Sequence, residues 1–164
     1  MGKPEKKLSE SDIRREIIMI FVTVGTVQFN DLVKKIDEIA KNSKEDFLIQ
    51  IGEGKYIPKH CKWFRFKVPL TEYFKKSKLV ITHGGAGTLF ECLNLGVRIL
   101  AVPNLGAKAA HQLDLVYELD KAGYIITSNL ENLEKTIYDK RKLKKYVKVE
   151  CKIGKVIEEF LNVS

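Results

Sequence analysis

No stretch of the 164 residues holds the roughly 18–20 consecutive apolar side chains of a membrane-spanning helix. The first 18 residues mix charges of both signs and carry no apolar core of the kind that leads a secreted chain, so secretion is not expected. Cysteine is scarce. Cys61, Cys92 and Cys151 stand far apart and are odd in number, which argues against a disulfide framework and for a reducing cytosol. There is no Asn-Gly hairpin signal, no Asp-x-Asp metal motif and no His/Cys cluster with zinc spacing. No nucleic-acid-binding motif is present, and Trp63, Phe64 and Phe66 read as strand core.

What is present is a globular composition, 45% hydrophobic and 30% charged. A chain of this length makes one domain and can bury roughly 70% of its unfolded surface. The formal net charge of +8 is unevenly placed. Residues 140–155 hold eight Lys/Arg against the single acid Glu150, whereas residues 19–139 hold 16 basic and 14 acidic residues. The basic stretch suits either a solvated face or an acidic neighbour.

Three segments follow from the pattern. Residues 1–17 are polar and read as an N-terminal extension. Residues 18–139 alternate strands and helices. The runs at Ile18–Val24, Phe47–Ile51, Trp63–Phe66, Leu79–Thr82, Val97–Val102 and Tyr124–Ile126 are expected to be strands. Helices are expected after Asn30 or Asp31, over Pro69–Lys76, Ala86–Leu95 and Ala109–Ala122, and after Asn129. Residues 140–164 form a basic segment followed by a helical stripe of Ile153, Val156, Ile157, Phe160 and Leu161, which packs back on the domain or docks on a partner. Unbroken strand–helix alternation predicts an α/β fold, a doubly wound, Rossmann-like parallel sheet. Ligands of such sheets bind beyond the carboxyl ends of the strands.

At one of those ends lies Ile81–Gly96, ITHGGAGTLFECLNLG. A buried strand runs through His83, Gly84, Gly85, Ala86, Gly87 and Thr88 into a helix. The glycines admit a close ligand, and the helix start offers unpaired N–H groups and the positive end of its dipole, a site for phosphate. It is no P-loop, because no Lys-Ser/Thr follows the glycines, and Phe90 stands where the dinucleotide fingerprint needs its third glycine. Glu91, three residues after Thr88, is placed to accept hydrogen bonds from two ribose hydroxyls. Thr88 to Glu91 equally spells a capping box. His83 is suited to neutralising a phosphate or to satisfying a backbone carbonyl. In the loop after the fifth strand, His111 and Gln112 open a helix facing the same edge. Gln112 has the donor and acceptor that a sugar hydroxyl pair requires, or it simply starts a surface helix.

HGGAGTLFE followed by a Pro-ended strand and His-Gln resembles the nucleotide-sugar half of GT-B glycosyltransferases, and is similar to the glycosyltransferase family 28 C-terminal domain. Ile20–Val33 (IFVTVGTVQFNDLV), Gln50–Gly54 (QIGEG) and Val102–Leu119 (VPNLGAKAAHQLDLVYEL) narrow this resemblance. They look like the small donor-binding subunits of N-acetylglucosaminyltransferases that extend dolichol-diphosphate-linked N-acetylglucosamine. Related bacterial exopolysaccharide proteins share the short form. The resemblance covers about Met19 to Asp139.

The resemblance implies the C-terminal half of a GT-B enzyme and UDP-N-acetylglucosamine, or another UDP-sugar, as donor. Gly84 to Thr88 would hold the diphosphate, Glu91 the ribose, and Gln112 with His111 the donor sugar. Gly25 and Thr26 would line the first loop, and the backbone around Lys67 and Val68 would meet the uracil. It further implies inverting, metal-free transfer to a lipid-diphosphate-linked acceptor at the cytosolic membrane face. A membrane-anchored partner would supply the acceptor site and the base, so no catalytic residue is assigned to this chain and membrane association is peripheral. Ala109 and Ala110 stand where these subunits usually carry Asn or Asp, which leaves the donor sugar open. A nucleotide-sugar-binding module without transfer activity, or a subunit for another UDP-hexose, are the competing readings.

Overall fold

The computed structural model describes residues 19–105 and 110–148. Residues 1–17 and the apolar stripe from Ile153 to Leu161 lie outside the described residues. The elements run β1 (Met19–Thr23), α1 (Asn30–Asn42), β2 (Phe47–Gln50), β3 (Lys62–Phe64), α2 (Thr71–Lys75), β4 (Ser77–Thr82), α3 (Ala86–Leu95), β5 (Ile99–Ala101), α4 (Ala110–Lys121), β6 (Ile126–Thr127) and α5 (Leu133–Ile137). All strand pairings are parallel, in the order β3-β2-β1-β4-β5-β6. The chain winds outward from β1 in one direction, returns, and winds outward from β4 in the other. The expected doubly wound sheet is what forms, with its switch point between β1 and β4.

The alternation of side chains along the central strands separates two cores. Ile20, Val22, Leu79 and Ile81 face α1 and α5, packing with Leu32, Val33, Ile36, Leu133 and Ile137. Phe21 and Val80 face the other layer, with Phe74 of α2, Leu89, Cys92 and Leu93 of α3 and Val116 of α4. Burial on both faces explains why β1 and β4 are continuous apolar runs rather than alternating ones. Each fully buried Leu, Ile or Phe side chain contributes about 1.5–3 kcal/mol, so the two layers hold the central strands from both sides.

Several local expectations change. Neither Asn30 nor Asp31 caps α1: Phe29 occupies the cap position, without a side-chain bond. The Asn30 Oδ1 instead accepts the amides of Lys55 and Tyr56, at 2.8 and 3.0 Å, and ties the loop after β2 to the start of α1. Asn129 accepts the Asn132 amide at 2.8 Å in a turn, and α5 begins only at Leu133. Phe66 is not strand core: β3 ends at Phe64, and Phe66 is exposed beyond it.

Past α5 the chain remains attached. Arg98 donates to the carbonyls of Asp139 and Arg141 at 2.9 and 2.8 Å. The Lys144 amide donates to the Gly123 carbonyl at 2.9 Å. Leu143 packs against the α1/α5 core and Tyr146 against the other, touching Tyr124 edge-on and Phe90. Residues 139–148 thus strap one layer to the other, with Lys140, Arg141, Lys142, Lys144, Lys145 and Lys148 on the exposed side.

Candidate functional site

The crevice of this topology lies at the carboxyl ends of β1 and β4. Both strands end alike. Thr23 and Thr82 are register partners, and the Oγ1 of each accepts the amide of the glycine two residues on, Gly25 at 3.1 Å and Gly84 at 3.3 Å. Short side-chain-to-backbone bonds of this kind turn the chain sharply out of the sheet. Thr23 is itself held by its bond to the buried Gln50 Oε1, at 2.6 Å.

Gly84 has φ 98°, and a Cβ there would stand 2.6 Å from the Val116 side chain, so no other residue fits. This turn delivers the chain to Gly85, the N-cap position of α3, which has no side-chain cap. The amides of the first turn, Ala86, Gly87 and Thr88, therefore lack partners inside the helix. Ala86 and Gly87 are exposed, and nothing lies within 4 Å of a Cβ built on Gly87. An open, uncapped helix start is an anion cradle made of backbone.

The His83 ring lies between the two turns. A Cβ on Gly25 would approach its Cε1 to 3.2 Å, and one on Gly85 would meet Cε1 and Nε2 at 3.1 Å. Its Nδ1 is buried without a well-formed hydrogen bond. Burial lowers the imidazole pKa, and the Thr23 carbonyl opposes this less strongly. The ring is thus neutral near pH 7 in the free protein, and does not bring a standing positive charge to the cradle.

Glu91 follows on α3. Because the helix starts at Ala86 rather than after Thr88, the capping-box geometry does not arise. The Glu91 Oε1 accepts instead from Thr71 Oγ1, at 2.5 Å, across the gap to α2. Lys67 and Val68 sit in the exposed loop between β3 and α2, with the Lys67 ammonium 5.8 and 5.2 Å from the ring centres of Phe64 and Tyr73. Thr26 is exposed beside Gly25. His111 and Gln112 fall in the first turn of α4, at the same edge, and their side chains lie outside the described residues. Asn104, in the loop before them, reaches the Gln28 carbonyl at 3.4 Å, so the loops after β1 and β5 converge.

A second polar cluster escaped the sequence reading. Asp37 on α1 is 1% exposed. Its carboxylate accepts the Lys59 amide, the His60 amide at 2.7 Å and the Tyr56 hydroxyl at 2.9 Å. Burial pushes this carboxyl up, but those donors and the Cys61 thiol together outweigh burial and hold it below 3.8. Asp37 pins the loop between β2 and β3. The signal was there: among Leu32, Val33, Ile36 and Ile39, Asp37 sits on the apolar stripe, where an unpaired carboxylate is too costly to persist. Among the described residues no group of His, Cys, Asp or Glu side chains is arranged to hold a metal, and no helix is long and apolar enough to cross a membrane.

A doubly wound parallel sheet with its crevice at the switch point belongs to the Rossmann-like α/β class. Comparison with known proteins narrows this: residues 19–153 match the glycosyltransferase family 28 C-terminal domain, and the chain belongs to that family. It is 34% identical over 122 residues to the human UDP-N-acetylglucosamine transferase subunit ALG13, covering 65% of this chain and 10% of that protein. Over 137 residues it is 32% identical to the Pelagibacter ubique UDP-N-acetylglucosamine--N-acetylmuramyl-(pentapeptide) pyrophosphoryl-undecaprenol N-acetylglucosamine transferase, covering 76% of this chain and 38% of that one. The chain therefore spans a minor part of both relatives. Among solved structures, Acinetobacter baumannii MurG superposes with a TM-score of 0.59 at 18% identity, over 74% of this chain and 41% of that one. An NMR structure of ALG13 superposes with a TM-score of 0.56 at 19% identity, over 88% and 94%. These likenesses agree on the fold, the C-terminal half of a GT-B glycosyltransferase.

Proposed function

We propose that this chain is the donor-binding subunit of an inverting UDP-N-acetylglucosamine-dependent glycosyltransferase, acting on a lipid-diphosphate-linked acceptor. The observation that carries the reading is the uncapped start of α3, entered through Gly84 and Gly85, with the Glu91 carboxylate further along the same helix. The amides from Gly85 to Thr88 hold the diphosphate, and Gly25 and Thr26 close its other side. Glu91 takes the ribose hydroxyls. His111 and Gln112 meet the donor sugar. The name of the human relative, a transferase subunit, supports a partner. That partner is membrane-anchored at the cytosolic face, and brings the acceptor and the base.

In the reaction the acceptor hydroxyl oxygen attacks the anomeric carbon from the face opposite the diphosphate. The bond from that carbon to the β-phosphate oxygen breaks, inverting the centre. The hydroxyl proton passes to the partner's base, and UDP departs with one more negative charge. Preorganised amides at the start of α3 stabilise that developing charge. The neutral His83 ring beside them is placed to donate its N–H to a phosphate oxygen as that charge grows.

Calorimetric titration with UDP tests the donor site. Glu91→Ala is expected to cost on the order of 1.5–3 kcal/mol, about ten-fold or more in affinity. Equal affinities would remove Glu91 from the site. Transfer to a lipid-linked acceptor is expected only when the partner is added; turnover by the isolated chain would refute the half-enzyme reading.

A further inference from the structure

We propose that Thr71 is a positioning residue, which holds Glu91 in the orientation that receives the ribose. The inference rests on the donor-site reading above and adds a residue that neither spacing nor motif exposes. Thr71 opens α2, but its hydroxyl does not cap that helix: Leu70 occupies the cap position and no side chain bonds the first turn. The hydroxyl is directed at Glu91 Oε1 instead, at 2.5 Å. A donor this close to an ionised carboxylate makes a charge-assisted bond.

Both ends of the bond are fixed. Phe74 of α2 is 1% exposed, and Tyr73 stacks on Phe21 with ring centres 5.4 Å apart. On α3, the neighbours Leu89 and Cys92 are fully buried. A glutamate side chain has several freely rotating bonds, whose ordering opposes ligand binding. Thr71 orders it beforehand from a rigid neighbour. No other group among the described residues donates to this carboxylate. One oxygen is thus occupied by the protein, while Oε2 stays available to a ligand hydroxyl. The bond also ties the end of the Lys67–Leu70 loop to the helix that carries the cradle.

The test is calorimetric titration of the whole chain with UDP and with 2′-deoxy-UDP. Thr71→Val removes the hydroxyl at nearly constant shape, and Thr71→Ser retains it. Thr71→Val is expected to weaken UDP roughly 3- to 10-fold and 2′-deoxy-UDP less, while Thr71→Ser stays within about two-fold of the wild type. Thr71→Ala, read by the same UDP to 2′-deoxy-UDP ratio, stands in if the valine variant does not fold. An unchanged ratio, whether from no loss or from equal loss on both ligands, overturns the proposal. If Glu91→Ala still weakens UDP in that event, the donor site survives without Thr71. If Glu91→Ala binds UDP like the wild type, Glu91 is not at the ribose, and this proposal falls with that part of the donor-site reading.

Discussion

Gly25 makes room for His83: a Cβ at residue 25 would stand 3.2 Å from Cε1 of the imidazole. Gly25 also has φ 64°, a conformation that costs a residue with a side chain about 1–2 kcal/mol. Gly25→Ala is therefore expected to lower the melting temperature by roughly 2–8 °C, and to weaken UDP by displacing the ring between the two turns. Gly87→Ala is the informative contrast. It meets nothing within 4 Å, and alanine is the better helix former by up to about 1 kcal/mol. Its stability should hold or rise while UDP affinity falls, because the new methyl group intrudes on the cradle. A melting curve and a UDP titration on each variant check both. Undiminished affinity in Gly87→Ala would place the diphosphate elsewhere.

The half-buried His83 makes stability depend on pH. Its folded pKa lies below the ordinary 6.5 because burial disfavours the charged ring. The unfolded chain binds the proton more readily, so this contribution is complete above about pH 6.5 and is lost as pH falls through the lowered folded value. Urea unfolding of the wild type and His83→Asn between pH 7.5 and 5 should show the steeper decline in the wild type. Parallel profiles would mean that the ring is not buried neutral.

The pin at Asp37 yields a stability prediction away from the cradle. Asp37→Ala strands the amides of Lys59 and His60 and the Tyr56 hydroxyl, at a cost of about 2–3 kcal/mol. The urea midpoint should fall by on the order of 1 M. Asp37→Asn keeps an acceptor and should lose less. The folded carboxyl is held below 3.8, so its stabilisation is present above that pH and disappears as pH drops through the folded value. Acid unfolding of Asp37→Asn should accordingly begin less steeply than that of the wild type.

Truncation after Lys148 keeps Leu143 and Tyr146, the two anchors of the strap. The shortened protein should fold and bind UDP with unchanged affinity, yet fail to co-purify with the proposed partner subunit. A truncated protein that unfolds would make the removed residues part of the domain core instead.

The central strands were legible because burial on both faces leaves a continuous apolar run, as in Ile20-Phe21-Val22 and Leu79-Val80-Ile81. The edge strands were less so. β6 was expected at Tyr124–Ile126 and forms at Ile126–Thr127, because it pairs with β5 over only two positions and local pattern does not fix so short a register. The glycine turn and the helix after β4 were readable from spacing alone. Whether Glu91 capped the helix was not, since a capping box and a ligand-binding carboxylate share the same i,i+3 spelling. The helix start at Ala86 removes the capping box, and that start depends on the turn at Gly84. Thr71 and Glu91 are joined only by tertiary packing, which no local period encodes.

The threonine-anchored turns at Thr23 and Thr82 root the cradle in the hydrogen-bond ladder of the two innermost strands. A diphosphate bound there, as proposed, would meet amides already aimed by the sheet. Little ordering entropy is then lost on association.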